Sequence, residues 1–512
     1  MAEPLEITAL TLNCWGLKYI SALRAERIPE IGRRLAELAT PSSSPASPAS
    51  PASPASSSPL SIVALQECWV YEDFVTIRSL TQHVLPYAKF FHGGIWGAGL
   101  AVLSRWPITQ SSMHTYPLCG RPTAFWRGDW YVGKGIASAT IQVTDTTTVE
   151  VLVTHTHAPY ESRLPYDSYL VHQLSETWEM GKRARAAAER GRLVLAMGDF
   201  NMTPDSLVYN ALHLGAGAGP STPILQDTWR ELHPDSSLGP ADLAAEKARN
   251  RPIPTAVFNL QENGSTSDNV YNTWRWPKDK QTQLHKAYAQ HAQATATKED
   301  AAALSQFLVD PDSADPRGKR LDYIFYAPPQ TAGPAWKTKS ARVAMVEPHP
   351  TAGCSVSDHF AYMVTLASQP HDTKPDSPST SPIFDSASIY DRVIAESKKY
   401  MLREQKQQYW RGVHFFGAVA VAIGCYVAVW FSPRPFVAFL LTLLASLGLA
   451  AGVVDGLLSL LFFSSELRCL KEFDWEISNA KSLLTSQLSP PSSSSSHGLS
   501  AHAYDKPAGS FS

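Results

Sequence analysis

Acidic and amide side chains follow an apolar run in the middle of the chain, where they are spaced to share one chemical task. Asp199 and Asn201 come directly after the apolar residues 193–197. Two residues apart on an extended chain, a carboxylate and an amide point to the same side. There they could hold an attacking water and a phosphate oxygen beside a hard cation. The same residue types are also common in a turn after a strand, so the motif alone leaves both interpretations open.

Glu67 and Asn13 end two earlier apolar runs and strengthen the catalytic interpretation. Glu67 follows residues 62–65, and a buried, unpaired carboxylate there would be costly unless Mg²⁺ or an ion pair removed that cost. Asn13 follows residues 7–12 and offers an uncharged oxygen to a metal or a phosphate. Each residue alone could be a surface or capping residue. Together with Asp199 they predict a magnesium site.

Histidines supply the candidate acid–base groups. Asp358 and His359 are adjacent, but neighbouring side chains diverge on a strand. Asp322 is therefore the candidate to orient His359, which would accept a proton from water. His155 and His157 share one face of an extended segment, and one could bind the phosphoryl group or protonate the leaving oxygen. A zinc site is disfavoured because no third soft ligand accompanies this pair.

Short strands and intervening helices must bring these side chains together. Apolar or alternating runs, each beside one of the polar residues above, occupy residues 7–12, 62–65, 149–153, 193–197, 323–326 and 360–366. A helical pattern at residues 169–190 separates two of the runs. Mixed strands and helices of this kind predict an α/β fold with its site at one edge of packed sheets.

Composition limits the classes of partner. The net charge of −2 gives no overall basic footprint, so we expect no nucleic acid partner. Six cysteines without a Cys-x-x-Cys pair argue against a disulfide framework. Glu3 and Glu6 interrupt the N-terminal segment before any apolar run, unlike a signal peptide, and we expect a cytosolic catalytic domain. The sequence gives no indication of oligomeric state.

Two segments rich in small polar residues and proline divide the chain. Residues 40–59 repeat Pro, Ala and Ser and predict a disordered insertion within a catalytic domain of residues 1–366. Residues 367–386, rich in Pro, Ser and Asp, predict a linker. The insertion falls between a helical pattern and a strand, so it is expected to lengthen one surface loop.

The C-terminal part predicts a membrane anchor. A polar, basic helix is expected at residues 387–412, two transmembrane helices at 413–463, and a cytosolic tail with a disordered end at 464–512. Nineteen residues of helix span about 28 Å, which matches a bilayer core. The alternative, a buried helical hairpin, is disfavoured because a linker precedes these segments and no other domain follows to bury them.

Charges flanking the two apolar segments predict their orientation. Basic residues precede the first segment and follow the second, so the positive-inside rule places both flanks and the catalytic domain in the cytosol. The basic helix could attract anionic phospholipids. We expect the endoplasmic reticulum, with the mitochondrial outer membrane and the plasma membrane as alternatives. Asp455 lies at the interface or makes a functional polar contact; the sequence leaves both open.

The ordered motifs resemble the endonuclease–exonuclease–phosphatase superfamily, and finer matches resemble its neutral sphingomyelinases and fungal inositol phosphosphingolipid phospholipases C. The segments that carry the finer likeness are Leu12-Asn13-Cys14-Trp15-Gly16-Leu17-Lys18-Tyr19, Ala64-Leu65-Gln66-Glu67, Gly120-Arg121-Pro122 and His155-Thr156-His157-Ala158-Pro159-Tyr160. The resemblance implies a four-layered α/β sandwich of the deoxyribonuclease I-like type with a C-terminal two-helix transmembrane hairpin. It also implies Mg²⁺-dependent hydrolysis of a sphingolipid in the bilayer.

The resemblance also implies a role for each candidate residue. The implied roles are Mg²⁺ ligand for Glu67; orientation of water and phosphate for Asp199 and Asn201; a phosphate or metal contact for Asn13; general base for His359, oriented by Asp322; a further site carboxylate, and metal ligand, for Asp358; and phosphate or leaving-group contacts for His155 and His157.

The segment of residues 128–135 has the outline of a phosphate-binding loop. It has the spacing G-x-x-x-x-G-K, but Gly135 stands where a nucleotide-binding loop requires Ser or Thr for Mg²⁺. A nucleoside triphosphatase is therefore rejected. In the family that the chain resembles, the corresponding segment is phosphate-loop-like, and Asp129 and Lys134 match its important positions. The resemblance implies that they organise the site or bind the phosphate of the lipid headgroup.

The predicted reaction is attack by water on the phosphodiester, with His359 as base and ceramide as the leaving group. Inositol phosphorylceramides and sphingomyelin are both candidate substrates. A glycerolipid phosphodiesterase would need no different catalytic residue and remains an alternative. A nuclease or phosphoinositide phosphatase explains the apolar hairpin less well, and a non-catalytic scaffold would predict losses among the site residues.

Overall fold

The structure is a computed structural model that describes residues 4–41, 58–161, 167–217, 224–293, 304–331, 334–369 and 386–488. The predicted insertion at 40–59 and the predicted linker at 367–386 lie almost entirely outside the described residues. Residues 489–512, at the end of the predicted tail, also lie outside them.

Two six-stranded sheets form the centre of the fold. The strands are β1 (Glu6–Asn13), β2 (Ile62–Gln66), β3 (Tyr87–Phe91), β4 (Leu100–Ser104), β5 (Ile108–Thr115), β6 (Gly135–Gln142), β7 (Thr148–His155), β8 (Leu193–Asp199), β9 (Gln226–Asp227), β10 (Asp322–Ala327), β11 (Ala335–Ala344) and β12 (Ala361–Gln369). The first sheet has the order β11-β12-β1-β2-β4-β3 and the second β5-β6-β7-β8-β10-β9. Central strands such as β2 and β8 are buried on both faces, which explains their continuous apolar sequences.

Helices cover the outer faces of both sheets. The α-helices of the described residues are α1 (Arg24–Ala39), α2 (Tyr71–Thr81), α3 (Asp129–Val132), α4 (Leu170–Glu189), α5 (Leu207–Gly215), α6 (Thr228–Leu232), α7 (Ala244–Ala248), α8 (Ala256–Gln261), α9 (Lys278–Gln293), α10 (Ser386–Trp430), α11 (Pro435–Leu457) and α12 (Ser464–Leu488). The first sheet packs on α1 and α2, and the second packs on α4 and α5. The inner faces of the sheets share one apolar core. The predicted four-layered α/β sandwich is therefore confirmed.

The C-terminal helices belong to the same packed structure. Helix α10 runs unbroken through the predicted basic segment and the predicted first span. Its first half buries Ile389 and Val393 against α4 and α5, and α12 buries Leu470 and Ile477 in the same cluster. The segment at 464–488 is thus a helix on the catalytic domain, where the sequence predicted a tail.

Two helices, Ser386–Trp430 and Pro435–Ser486, are long and apolar enough to cross a membrane by length and composition. Six residues of π-helix, Leu458–Phe463, join α11 to α12. Asp455 pairs with Arg411 and accepts a hydrogen bond from His414 Nδ1 at 2.7 Å. The carboxylate therefore has two cationic or polar partners on the neighbouring helix, which reduces the cost of placing it in an apolar helix.

Arg320, two residues before β10, forms a buried ion pair with Asp227. Loss of this pair should destabilise the fold. Arg320 donates to Asp227 Oδ1 at 2.8 Å and to Oδ2 at 2.9 Å, and both side chains are almost fully buried. Arg320→Met leaves a buried, unpaired carboxylate, so we expect the free energy of unfolding to fall by about 3–5 kcal/mol. Thermal and denaturant unfolding of the detergent-solubilised chain measures this. Lys399→Met breaks an exposed pair with Glu396 and should cost at most about 1 kcal/mol; equal losses would contradict the assignment.

Candidate active site

Strand register brings the predicted residues to one edge of the two sheets. In the first sheet, β1 and β2 are parallel and pair Asn13 with Gln66, which places Glu67 beside the end of β1. In the second, parallel β7 and β8 pair His155 with Asp199, and antiparallel β8 and β10 pair Asp199 with Asp322. Five of the predicted side chains therefore meet because the strands that carry them end together.

Asn13 joins the two sheets at this edge. Its Nδ2 donates to Glu67 Oε1 at 3.0 Å and to Asp199 Oδ2 at 3.1 Å. Asp199 Oδ1 in turn accepts from the backbone N–H of Asn201 at 2.9 Å. Glu67 and Asn201 have φ angles of +52° and +46°, a region that costs non-glycine residues energy and that concentrates at functional sites.

Asp322 and His359 form a buried hydrogen-bonded pair. His359 Nδ1 lies 2.8 Å from Asp322 Oδ2, which directs Nε2 towards Asp199 Oδ2, 4.0 Å away. Burial lowers the pKa of His359, but the charges of Asp322 and Asp199 outweigh it and raise the pKa well above its usual value. An imidazole held in this way can accept a proton through Nε2 and is stabilised once it is charged.

The carboxylates around Asn13 fit a hard divalent cation. Burial and the charge of Asp358 raise the pKa of Glu67 to about 7, and Glu67 Oε2 is buried without a hydrogen-bond partner in the described part of the chain. A cation held by Glu67, Asn13 and Asp358 would remove both the repulsion and the unmet hydrogen-bonding capacity.

A second group of possible ligands, Asp199, Asp322 and His359, has ligand atoms within 4.8 Å of one another. His359 already shares a hydrogen bond with Asp322, and hard cations prefer oxygen to imidazole nitrogen. The Glu67 side of the site is therefore the better fit for a hard cation.

His155 lies at the centre of the site as a neutral ring. Its Nε2 is 3.4 Å from Lys134 Nζ, 3.7 Å from Asp199 Oδ2 and 3.9 Å from Glu67 Oε1. Burial and the charge of Lys134 lower the pKa of His155 to about 3. The side chain can therefore form hydrogen bonds to a phosphate, but it carries no spare proton at neutral pH.

The phosphate-loop-like segment is a rigid support for Lys134. Lys134 Nζ lies 3.0 Å from Asp129 Oδ1 and donates to the carbonyl of Thr156 at 2.9 Å. Burial raises the pKa of Asp129, but the charges of Lys134 and His157 and the hydrogen bond from Lys134 together outweigh burial and lower the pKa to about 2. Gly120 approaches this pair so closely that an added Cβ would lie 2.9 Å from Asp129 Cβ. Lys134 thus reaches the centre, whereas Asp129 stands behind it.

His157 also lies behind the centre. Its ring stacks on Tyr169 with centroids 4.7 Å apart, and Nδ1 donates to the carbonyl of Ala158 at 3.0 Å. Its Nε2 is 3.5 Å from Asp129 Oδ2, and burial lowers the pKa of His157 to about 4. The structure does not place this side chain among Glu67, Asp199 and His359, so its position favours a supporting role over the predicted phosphate contact.

Two supporting residues on α4 carry no signal in the sequence. Gln173 Nε2 donates to the carbonyls of His157 at 2.8 Å and Asn201 at 3.3 Å. Glu176 Oε2 accepts from the backbone N–H of His157 at 2.7 Å. Both hold the backbone of the two site segments in place. A polar residue in a helical pattern predicts exposure, so only the packing identifies them.

The sequence model of the Endonuclease/Exonuclease/phosphatase family matches residues 10–359. The chain belongs to this family. The match begins within β1 and ends at His359, so it spans every predicted site residue. The resemblance noted from the motifs is therefore confirmed.

Curated members similar to this chain are phosphodiesterases of one type. The inositol phosphosphingolipids phospholipase C of Schizosaccharomyces pombe is 33% identical over 479 residues, covering 93% of this chain and 95% of that protein. Its Saccharomyces cerevisiae counterpart is 32% identical over 498 residues, covering 94% and 92%. Human sphingomyelin phosphodiesterase 2 is 31% identical over 258 residues, covering 50% and 52%. The chain is a phosphoric diester hydrolase.

The Asp322–His359 pair predicts a change in the pH profile of hydrolysis. Asp322→Asn removes a charge that raises the pKa of His359. Because the base must be neutral, activity is lost as pH falls through that pKa, and the acid limb should move to lower pH in the variant. We expect kcat to fall about 10²- to 10⁴-fold. Steady-state hydrolysis of bis(p-nitrophenyl) phosphate across pH, at saturating Mg²⁺, measures both effects.

Asp268→Asn is the matched control for this prediction. Asp268 lies near His359 but pairs with Lys319 Nζ at 2.7 Å and Arg275 Nε at 2.6 Å. Its replacement should shift the acid limb much less. An Asp322→Asn profile that matches the wild type in both kcat and acid limb would contradict the proposed pairing.

Proposed function

We propose that this enzyme hydrolyses the phosphodiester of inositol phosphosphingolipids, sphingomyelin or both, with Mg²⁺, and releases ceramide and the phosphorylated headgroup. The observation that carries this proposal is the extent of similarity to the S. pombe inositol phosphosphingolipids phospholipase C, which covers 93% of this chain. A match of that length includes the C-terminal helices as well as the catalytic domain.

The site geometry supports direct attack by water. A water between His359 Nε2 and Asp199 Oδ2, which are 4.0 Å apart, would give its proton to His359 as it attacks phosphorus. Asp322 then stabilises the imidazolium, and the amide of Asn201 helps to hold the phosphate.

Negative charge on the phosphate oxygens increases during attack, and the Glu67 side of the site is arranged to stabilise that charge. Glu67, Asn13 and Asp358 would hold Mg²⁺, which when bound neutralises charge on a phosphate oxygen. Lys134 adds a fixed positive charge beside His155. Neutral His155 contributes a hydrogen bond to the phosphate, so we assign it phosphate contact; the ceramide oxygen leaves as an alkoxide and takes its proton from solvent water.

The apolar helices support a substrate that lies in a bilayer. We propose that α10 and α11 span the membrane with the catalytic domain in the cytosol, at the endoplasmic reticulum. Exposed Phe125 and Trp126 belong to an aromatic surface beside Trp130, whose ring lies 6.4 Å from Phe462 near the end of the second apolar segment. Aromatic rings are favoured at the interface between membrane and water, so this surface suits contact with the same bilayer.

Anionic phospholipids are proposed to bind the basic part of α10. Arg403 and Arg411 already pair with Glu404 and Asp455. The exposed lysines Lys398 and Lys406 are therefore the residues to which we assign the lipid contact.

One assay tests the proposed chemistry. Full-length enzyme acts on liposomes that contain inositol phosphorylceramide or sphingomyelin, with Mg²⁺ or with a chelator. We expect headgroup release to stop with the chelator and to fall at least about 10²-fold in Asp199→Ala, because water and the Asn201 loop lose their fixed partner. Asp145→Ala, which removes an exposed carboxylate from a turn, is the control and should act as wild type.

Two outcomes would contradict the proposal in different ways. Chelator-resistant release or an active Asp199→Ala would contradict the mechanism. Equal turnover of phosphatidylinositol and phosphatidylcholine would contradict the sphingolipid assignment and favour the glycerolipid alternative.

A further inference from the structure

The guanidinium of Arg27 is a buried charge next to the loops that carry Asn13 and Asp358. Arg27 lies in the first turn of α1, and its side chain is fully buried. A cation in this turn faces the positive end of the helix dipole, which disfavours it. Burial of a charge that forms no ion pair within the described part of the chain is costly as well. The contacts of this side chain must therefore compensate for an unfavourable position.

Backbone carbonyls accept all four hydrogen bonds that the structure gives to the Arg27 guanidinium. Nε donates to the carbonyl of Ala22 at 2.9 Å, in the turn before α1. Nη1 donates to the carbonyls of Cys14 at 3.1 Å and Val356 at 2.8 Å, and Nη2 donates to that of Trp15 at 2.9 Å. A planar guanidinium holds its donors in fixed directions, so it connects three separate segments of the chain at once.

Two tryptophan rings pack against the same guanidinium. Arg27 Cζ lies 4.8 Å from the ring centroid of Trp15 and 5.8 Å from that of Trp274. The two rings meet edge to face with their centroids 5.0 Å apart, and Trp274 Nε1 donates to the carbonyl of Ser355 at 2.8 Å. Attraction between a cation and an aromatic ring is stronger where water is excluded, so these rings help to keep the charge in place.

The first bonded segment orients the side-chain amide of Asn13. The backbone N–H of Trp15 donates to Asn13 Oδ1 at 3.0 Å, which directs Nδ2 towards Glu67 and Asp199. This contact places Trp15 at a φ angle of +48°, a conformation that costs a non-glycine residue energy. The bond from Arg27 Nη2 to the Trp15 carbonyl helps to hold that conformation.

The second bonded segment leads directly into Asp358. Val356, whose carbonyl accepts from Arg27, lies two residues before it. Between them, Ser357 Oγ donates to the carbonyl of Asn13 at 2.5 Å, so the two segments also contact each other. Burial lowers the pKa of Arg27, and the nearby charge of Asp358 opposes that effect, which indicates attraction between these side chains. The separation between Asn13 and Asp358 therefore depends on Arg27.

We propose that Arg27 is a positioning residue of the Mg²⁺ site, which holds Asn13 and Asp358 at the separation that the cation requires. This inference rests on the proposed Mg²⁺-dependent function. Arg27 contacts neither the cation nor the substrate and acts through the peptide groups of the two segments. Loss of its bonds leaves the ligands present but no longer fixed. Outer contacts of this kind change metal affinity or activity about 10- to 100-fold.

Arg27→Lys tests the positioning directly. Lysine keeps a positive charge but replaces the planar set of donors with a single nitrogen, so the segments lose their common partner. We expect the affinity for Mg²⁺, measured by calorimetric titration of the metal-free full-length chain, to fall about 10- to 100-fold. The Mg²⁺ concentration for half-maximal hydrolysis of bis(p-nitrophenyl) phosphate should rise by the same factor. KM for the diester should stay nearly constant, because no group that binds it is removed. Unchanged Mg²⁺ affinity would overturn the inference.

Arg34→Lys is the matched control on the same helix. Arg34 is also buried, and its guanidinium donates to the carbonyls of Glu347 at 2.6 Å and Pro348 at 2.8 Å. These acceptors follow β11 and carry none of the site residues. Both variants should lower the midpoint of thermal unfolding, but Arg34→Lys should bind Mg²⁺ as wild type does. Equal losses of Mg²⁺ affinity would overturn the inference in favour of a general effect of α1 packing.

Chemical rescue of Arg27→Ala tests the geometry of the lost group. Free guanidinium has the planar set of donors that the three segments bind, whereas ammonium carries the same charge without it. We expect millimolar guanidinium chloride to strengthen Mg²⁺ binding by this variant and ammonium chloride at equal ionic strength to leave it unchanged. No difference between the two salts would overturn the inference.

Wild-type enzyme separates this inference from the proposed function. A wild-type chain that binds no Mg²⁺, or that hydrolyses sphingolipids in the presence of a chelator, would contradict the proposed function itself. Wild-type binding of Mg²⁺ that Arg27→Lys retains in full would overturn only the role of Arg27.

Discussion

The two hydrogen bonds from Asn13 Nδ2 hold Glu67 of one sheet and Asp199 of the other about 3 Å from a single amide. The rest of the site depends on this contact because it concentrates carboxylates at a buried edge where they repel one another. Burial and that repulsion raise the pKa of Glu67, and its Oε2 has no hydrogen-bond partner among the residues that the structure describes. A divalent cation would relieve both, so the group that the proposed chemistry uses would also stabilise the fold.

The C-terminal helices extend this catalytic structure. Helices α10 and α12 complete the helical layer on the second sheet, and Tyr400 links Glu466 to Arg121 beside Gly120. Gly120 in turn packs against Asp129, the partner of Lys134. A set of contacts therefore connects the proposed anchor to Lys134, whose positive charge lies beside His155.

The sequence predicts the fold class and the central site residues because polar residues that end apolar strands are a local signal. Asn13, Glu67, Asp199, Asp322 and His359 all follow or precede such runs, and strand register then determines their meeting. Supporting residues leave no local signal: Gln173, Glu176 and Tyr400 lie on helices, and only packing reveals what they contact. For the same reason the sequence suggested a phosphate contact for His157, which lies behind the centre, and a tail for α12, which packs on the domain.

Calorimetric titration of the metal-free, full-length chain with Mg²⁺ tests the central claim most directly. We predict that wild-type enzyme binds Mg²⁺ at this site and releases protons near pH 7, since the pKa of Glu67 is raised to about 7 and the ligand must be ionised. Titration in two buffers of different ionisation enthalpy measures the release. Glu67→Gln should weaken binding at least about 10-fold and reduce the proton release. Undiminished affinity and proton release in Glu67→Gln would contradict the account.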